Sequence, residues 1–148
     1  MKKISTLWTM VLLMMVAVGF SSCTDDDQDM AYYLNGEWQG YIYDGSESYR
    51  VSLCFEQHND NYFATSGYGY EVDCPWMGHP SRTQFRWRVD NRYIYLDYGP
   101  EGRYVMDCSN FPTSYRVGEH MSGRIWHERT NTHVADFQLK KTYNEYDY

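Results

Sequence analysis

His127-Glu128 followed by His133 has the residue types of a zinc hydrolase, and spacing decides whether it could be one. That chemistry needs His-Glu-x-x-His on a helix, with both imidazoles on one face and the glutamate as base. Here the histidines are six positions apart in a hairpin context. With an odd-numbered loop they would face each other across the hairpin, one ligand short of a typical catalytic zinc site. No metal is expected. Cys54, Cys74 and Cys108 contain no Cys-x-x-Cys pair, which excludes a zinc ribbon or a thioredoxin-type site. No base stands near any of them in sequence. In an oxidising compartment they allow one disulfide and one leftover thiol, with three pairings open. Asp25, Asp27 and Asp29 begin like a calcium loop, but Met30 and Gly36 stand where that loop needs Gly and Glu. The chain has no Gly-x-Ser-x-Gly, P-loop or dinucleotide fingerprint, so neither a cofactor nor an enzymatic activity is expected.

Two groups of residues are better suited to binding. Arg86, Arg88, Tyr93 and Tyr95 fall on one face of a hairpin, where flat rings and guanidinium groups suit sugars or a partner's side chains. The bland account of the same residues is a ladder of cations over rings, at about 0.5–1 kcal/mol per exposed contact. Trp76 lies in the Pro75–Pro80 loop, where a large aromatic either contacts a partner or closes one end of the fold.

The elements that must position these residues are strands. From Leu34 onward the apolar pattern has period two, punctuated by Gly, Asn and Asp clusters at the spacing of an all-β sandwich or barrel. The runs are roughly 37–43, 48–57, 62–73, 83–89, 92–98, 103–108, 119–128 and 132–141, and all four prolines fall between them. A hairpin loop at 44–47 pairs Trp38 with Leu53, Gly40 with Val51 and Ile42 with Tyr49. A loop at 58–61 then sets Leu53 opposite Ser66, Cys54 opposite Thr65, Phe55 opposite Ala64 and Val51 opposite Tyr68. A two-residue turn at Asp90-Asn91 pairs Trp87 with Ile94 and Phe85 with Leu96, leaving Arg88 beside Tyr93 and Arg86 beside Tyr95 outside. Gly67 and Gly69 inside a strand pattern mark a bulge or close packing rather than a phosphate cradle. Eight meandering strands suit an antiparallel up-and-down barrel, which has no open edge; a β-sandwich is the alternative.

The 148 residues, with 16 Tyr, 5 Trp and 6 Phe, supply ample buriable surface for one domain, and the net charge of −7 disfavours nucleic acid. Lys2, Lys3 and the apolar run Leu7–Phe20 read as a signal peptide over 1–22, too short to span a bilayer. Phe20-Ser21-Ser22-Cys23 resembles a bacterial lipobox, whose cysteine is diacylated after cleavage, with palmitate among the expected acyl chains. Without residues 1–22 the chain loses two lysines and its charge becomes −9. Residues 23–33 then read as a solvated acidic tether and 34–148 as the barrel domain. The Cys-Thr-Asp-Asp-Asp start resembles lipoproteins of Bacteroides-type bacteria, which implies the outer membrane and exposure at the cell surface.

Gly36-x-Trp38 at the start of the first strand resembles the lipocalins, and more closely the small lipocalin-like lipoproteins of Bacteroides-type bacteria. The ending Phe137-Gln138-Leu139-Lys140 looks like the last strand of that group. The resemblance implies a lipid-anchored binding module of the cell envelope, with a small apolar or glycan ligand inside the barrel or on its exterior. The alternative is an interaction protein with a protein partner, such as an inhibitor of a secreted hydrolase or a subunit of an envelope complex.

Overall fold

A computed structural model describes residues 24–58, 63–74, 79–112, 114 and 116–143. Cys23, the signal segment and Trp76 lie outside these residues. One helix, α1 (Thr24–Leu34), precedes eight strands: β1 (Gly36–Asp44), β2 (Glu47–Gln57), β3 (Ser66–Cys74), β4 (Ser81–Asp90), β5 (Tyr93–Asp97), β6 (Arg103–Asn110), β7 (His120–His127) and β8 (Thr132–Tyr143). Each strand pairs antiparallel with its neighbour and β8 pairs with β1, closing the barrel. The sandwich alternative is thereby set aside. Alternation buries Val51, Leu53 and Phe55 on β2, Phe85, Trp87 and Val89 on β4, and Ala135, Phe137 and Leu139 on β8. The outer face carries Arg82, Arg86, Arg88, Arg124, Asp136 and Gln138, a surface suited to water rather than lipid.

The register follows the expectation between β1 and β2, with Trp38 opposite Leu53 and Ile42 opposite Tyr49. It departs from it between β2 and β3. There Leu53 faces Glu71 and Phe55 faces Gly69, five positions from the expected pairing, and Cys54 faces Tyr70 instead of Thr65. An odd slip turns the strand over. Gly67, Gly69, Glu71 and Asp73 therefore share the inner face, and Tyr68 and Tyr70 the outer one. The cause is cross-strand packing. A Cβ on Gly67 would strike the Glu56 carbonyl oxygen of β2 and lie 2.9 Å from the Trp87 ring, and one on Gly69 would strike the Cys54 carbonyl oxygen and lie 2.5 Å from the Phe85 ring. The two glycines are seats for two aromatic rings, which Phe55 meets edge-on at centroid distances of 5.4 and 5.9 Å.

Between β4 and β5 the turn is Asn91-Arg92, with φ of 51° and 64°, rather than Asp90-Asn91. Trp87 accordingly faces Leu96, and Val89 faces Ile94. This slip is two residues, so the inner and outer faces stay as expected.

Residues 24–33 are no tether. Asp27, Met30, Ala31 and Leu34 recur at helical spacing, and all four are buried against the barrel. The Asp27 carboxylate accepts the backbone N–H groups of Asn91 and Arg92 at 2.9 and 2.8 Å, pinning α1 to the β4–β5 turn. Charge repulsion along the acidic run is outweighed by an apolar face and this double hydrogen bond. The helix closes the end of the barrel where β1 begins and β8 finishes. Trp38 is fully buried there, its Nε1 donating to the Leu34 carbonyl at 2.8 Å. Lys141, also fully buried, stands 5.0 Å from the Trp38 ring and donates to the Tyr33 and Asn35 carbonyls at 2.5 and 2.6 Å.

Candidate functional site

At the opposite end the described residues leave a mouth; residues 75–78 of the β3–β4 connection there lie outside the described residues. A cavity of about 270 Å³ enters between the β1–β2 and β5–β6 connections, just below the usual range of about 300–1,000 Å³ for ligand pockets. Its floor is apolar: Ile42, Leu53, Leu96, Met106, Ile125 and Ala135. Its upper wall carries Tyr49, Glu71, Asp73, Tyr98, Glu101 and Tyr104, and none of its described lining residues is basic.

Each polar group has a structural reason to be there. Glu71 and Asp73 continue the inward positions of β3 begun by Gly67 and Gly69. Tyr98 leaves the end of β5 and is held by its N–H to the Gly102 carbonyl at 3.0 Å across the short 3-10 turn Gly99–Glu101. Its ring packs at 5.3 Å from Phe85 and 5.9 Å from Tyr104, and its hydroxyl donates to Glu71. Burial pushes the Glu71 carboxyl up to about 7, with the Tyr98 hydrogen bond opposing, and a hydrogen bond to Asp73 together with the charges of Asp73 and Glu101 adding to the rise. Burial also raises the Tyr98 phenol far above its ordinary value, and Tyr49 to about 12, both assisted by the carboxylates. Asp73 Oδ2 accepts a long 3.4 Å bond from Ser81, while Asp73 Oδ1 is buried with no partner among the described residues once Glu71 is ionised.

The residues singled out in the sequence lie elsewhere. Arg86, Arg88, Tyr93 and Tyr95 do share the outer face, but Arg88 pairs with Tyr95, Arg86 with Asp97 and Tyr93 with Asp90. The Arg88 guanidinium sits 3.8 Å over the Tyr95 ring and reaches Asp90 at 2.9 Å and Glu128 at 3.7 Å. Arg82 repeats the motif over Tyr70 at 3.8 Å, and Arg86 lies 6.0 Å from the Tyr68 ring. A groove of about 480 Å³ runs along this face, past His58, Tyr68, Arg86, Arg88, Tyr95 and Arg103.

The expected meeting of His127 and His133 does not occur. A β-bulge after Ile125 sets His133 opposite Trp126 and turns Val134 toward the barrel mouth. His133 then bonds Asp136 at 2.9 Å, while the His127 ring packs 5.6 Å from Tyr104. Cys54 and Cys108 are both thiols and do not pair with each other, while the Cys74 side chain lies outside the described residues. Cys54 hydrogen-bonds Tyr70, which with burial raises that phenol to about 12, and burial pushes the Cys108 thiol to about 12. A thiol held protonated in this way is no nucleophile.

The sequence reading missed Glu71, Asp73, Tyr49 and Tyr98. The signal that could have found the acids is the alternation of Gly67 and Gly69 with Phe85 and Trp87. Matching small to large across β3 and β4 sets the correct face and carries Glu71 and Asp73 inside.

The fold defines the class: an eight-stranded, up-and-down, lipocalin-like β-barrel, capped by a helix at one end and with a cavity among the described residues at the other. Comparison with family models, curated proteins and solved structures finds no match.

Proposed function

We propose that this protein is a binding module of the cell envelope that holds a small ligand in the open end of its barrel. The carrying observation is the mouth cavity, with its apolar floor below a hydrogen-bonding wall. Such a division is how ligand pockets orient a small molecule. We read the site as holding its ligand rather than converting it. In the same reading Cys23 carries the lipid anchor, and the barrel stands at the outer membrane, exposed at the cell surface. Two acyl chains suffice for stable attachment where one is marginal. The interaction-protein reading leans on the outer groove, but Arg88 and Arg103 there are already engaged by Asp90, Glu128 and Asp97.

Titration of small aromatic solutes, followed through the methyl resonances of Met106 and Ile125, tests the binding site. Saturable shifts that disappear when Val134→Trp blocks the rim are expected; unmoved methyls overturn the site. Metabolic labelling with palmitate tests the anchor. Incorporation should vanish in Cys23→Ser, and the variant should leave the membrane fraction. A variant that still sediments with membranes overturns the anchor.

A further inference from the structure

We infer that the mouth cavity selects a ligand with a protonated amine head and a compact apolar or aromatic body. This rests on the reading of the cavity as a ligand site and goes on to name the chemistry it accepts. Four observations converge. Glu71 and Asp73 project from alternate positions of β3 into a cavity whose lining, among the described residues, holds no lysine, arginine or histidine. Asp73 Oδ1 is buried, and the donor it meets among the described residues is the Glu71 carboxyl while that is protonated; once Glu71 ionises, an oxygen sealed from water is left needing a donor. The rings of Tyr49, Tyr98 and Tyr104 stand in the same wall, and their faces attract a cation more strongly than a neutral head. The floor of Leu53, Leu96 and Met106 offers nothing to a polar tail, so the body that follows the head downward must be apolar. An ammonium brings three donors on one compact charge, enough to serve both acids at once. A carboxylate-headed ligand would meet Glu71, Asp73 and Glu101 as like charges.

The preference carries a pH dependence. The titratable groups facing Glu71 are Tyr49 from β2, Asp73 from β3, Tyr98 and Glu101 from the β5–β6 connection and Tyr104 from β6. Among the described residues the neighbouring strands β1, β4, β7 and β8 contribute only Ile42, Thr83, Ile125, Val134 and Ala135 to the lining, none of which ionises. Below about 7 Glu71 takes up a proton and one of the two attracting charges is lost.

The test is a matched series on the intact protein: 2-phenylethylamine, 2-phenylethanol and 3-phenylpropanoate, measured by calorimetry and by the Met106 methyl shift. At about pH 8 the amine should bind about tenfold or more tightly than the alcohol, with the propanoate weakest. That advantage should shrink at about pH 5.5 and vanish in Glu71→Gln/Asp73→Asn. Val134→Trp, or Thr83→Trp if the first fails to fold, should block all three. Equal affinity for amine and alcohol, both blocked at the rim, overturns the amine head and leaves the cavity reading standing. An amine preference that survives the rim variant places the binding elsewhere and overturns the inference. If none of the three moves the Met106 methyl, the cavity reading falls and takes the inference with it.

Discussion

The two ends of this barrel treat buried charge in opposite ways. At the closed end Lys141 has no exposure, yet two carbonyls and the Trp38 ring surround its ammonium. Only a neutral atom, Gln57 Oε1, goes without a partner there among the described residues. At the open end two carboxyls share one wall, one phenol answers Glu71, and an oxygen of Asp73 is left over. An unmatched buried charge costs several kcal/mol, whereas a matched one is tolerated. The closed end is a finished piece of structure. The open end, with Glu71 ionised, leaves one carboxylate oxygen without a partner among the described residues, and the proposed site rests on that asymmetry.

The contrast can be broken most forcefully at the finished end. Trp38→Ala should cost about 3–5 kcal/mol, because it empties the space between α1, Leu53 and Lys141. Denaturant unfolding should show a large drop in midpoint, and a midpoint near wild type would mean that α1 and Lys141 close the barrel without it. The open end should respond with the opposite sign. Glu71 has its pKa raised from 4.5 to about 7, so the folded state holds a proton that the unfolded chain has released. Stability from this group is therefore present below about 4.5, declines as pH rises toward 7, and stays low above that. Glu71→Gln should then be more stable than wild type by about 2–3 kcal/mol at alkaline pH, with no gain near the lower limit. Thermal melts across that range check it, and a variant less stable at alkaline pH would show that Glu71 is matched after all.

Two smaller effects sharpen the comparison. Asp27→Ala removes both bonds to the β4–β5 turn and should cost about 1–2 kcal/mol, with faster amide exchange confined to α1 and Asn91-Arg92. Exchange spreading through the whole barrel would mean that the helix is part of its cooperative core. On the outer face, Tyr95→Ser should cost about 0.5–1 kcal/mol, the worth of one guanidinium over one ring. A larger loss would give the ladder a weight that its exposure does not suggest.

Most of the barrel was legible because period-two alternation and short hairpins are local signals. The β1–β2 register follows from one tight loop, and in the β4–β5 hairpin an even slip leaves Trp87 and Phe85 inside whichever turn is chosen. The β2–β3 pairing is different. Several turn-forming residues lie between His58 and Ser66, so the loop could be drawn in more than one place. What decides is contact between β3 and β4, where Gly67 and Gly69 receive Trp87 and Phe85. That information sits on a third strand, and choosing the loop without it turned Glu71 and Asp73 outward. The bulge beside Trp126 is likewise invisible in a pattern of alternation, and it separated His127 from His133. In α1 the aspartates advertised solvation and concealed the spacing of Asp27, Met30, Ala31 and Leu34.

The docking of α1 also sets how much slack an anchor would have. Cys23 precedes the helix by a single peptide unit, about 3.8 Å between Cα atoms, and the helix is fastened beneath the barrel from Asp27 onward. A flexible leash of n residues wanders about 5–6 Å × √n, and here almost no leash remains. A lipid on Cys23 would moor the molecule with its capped end down and its aperture turned away from the bilayer. Cargo would then enter from the surrounding medium, and the membrane would serve as mooring rather than as a source.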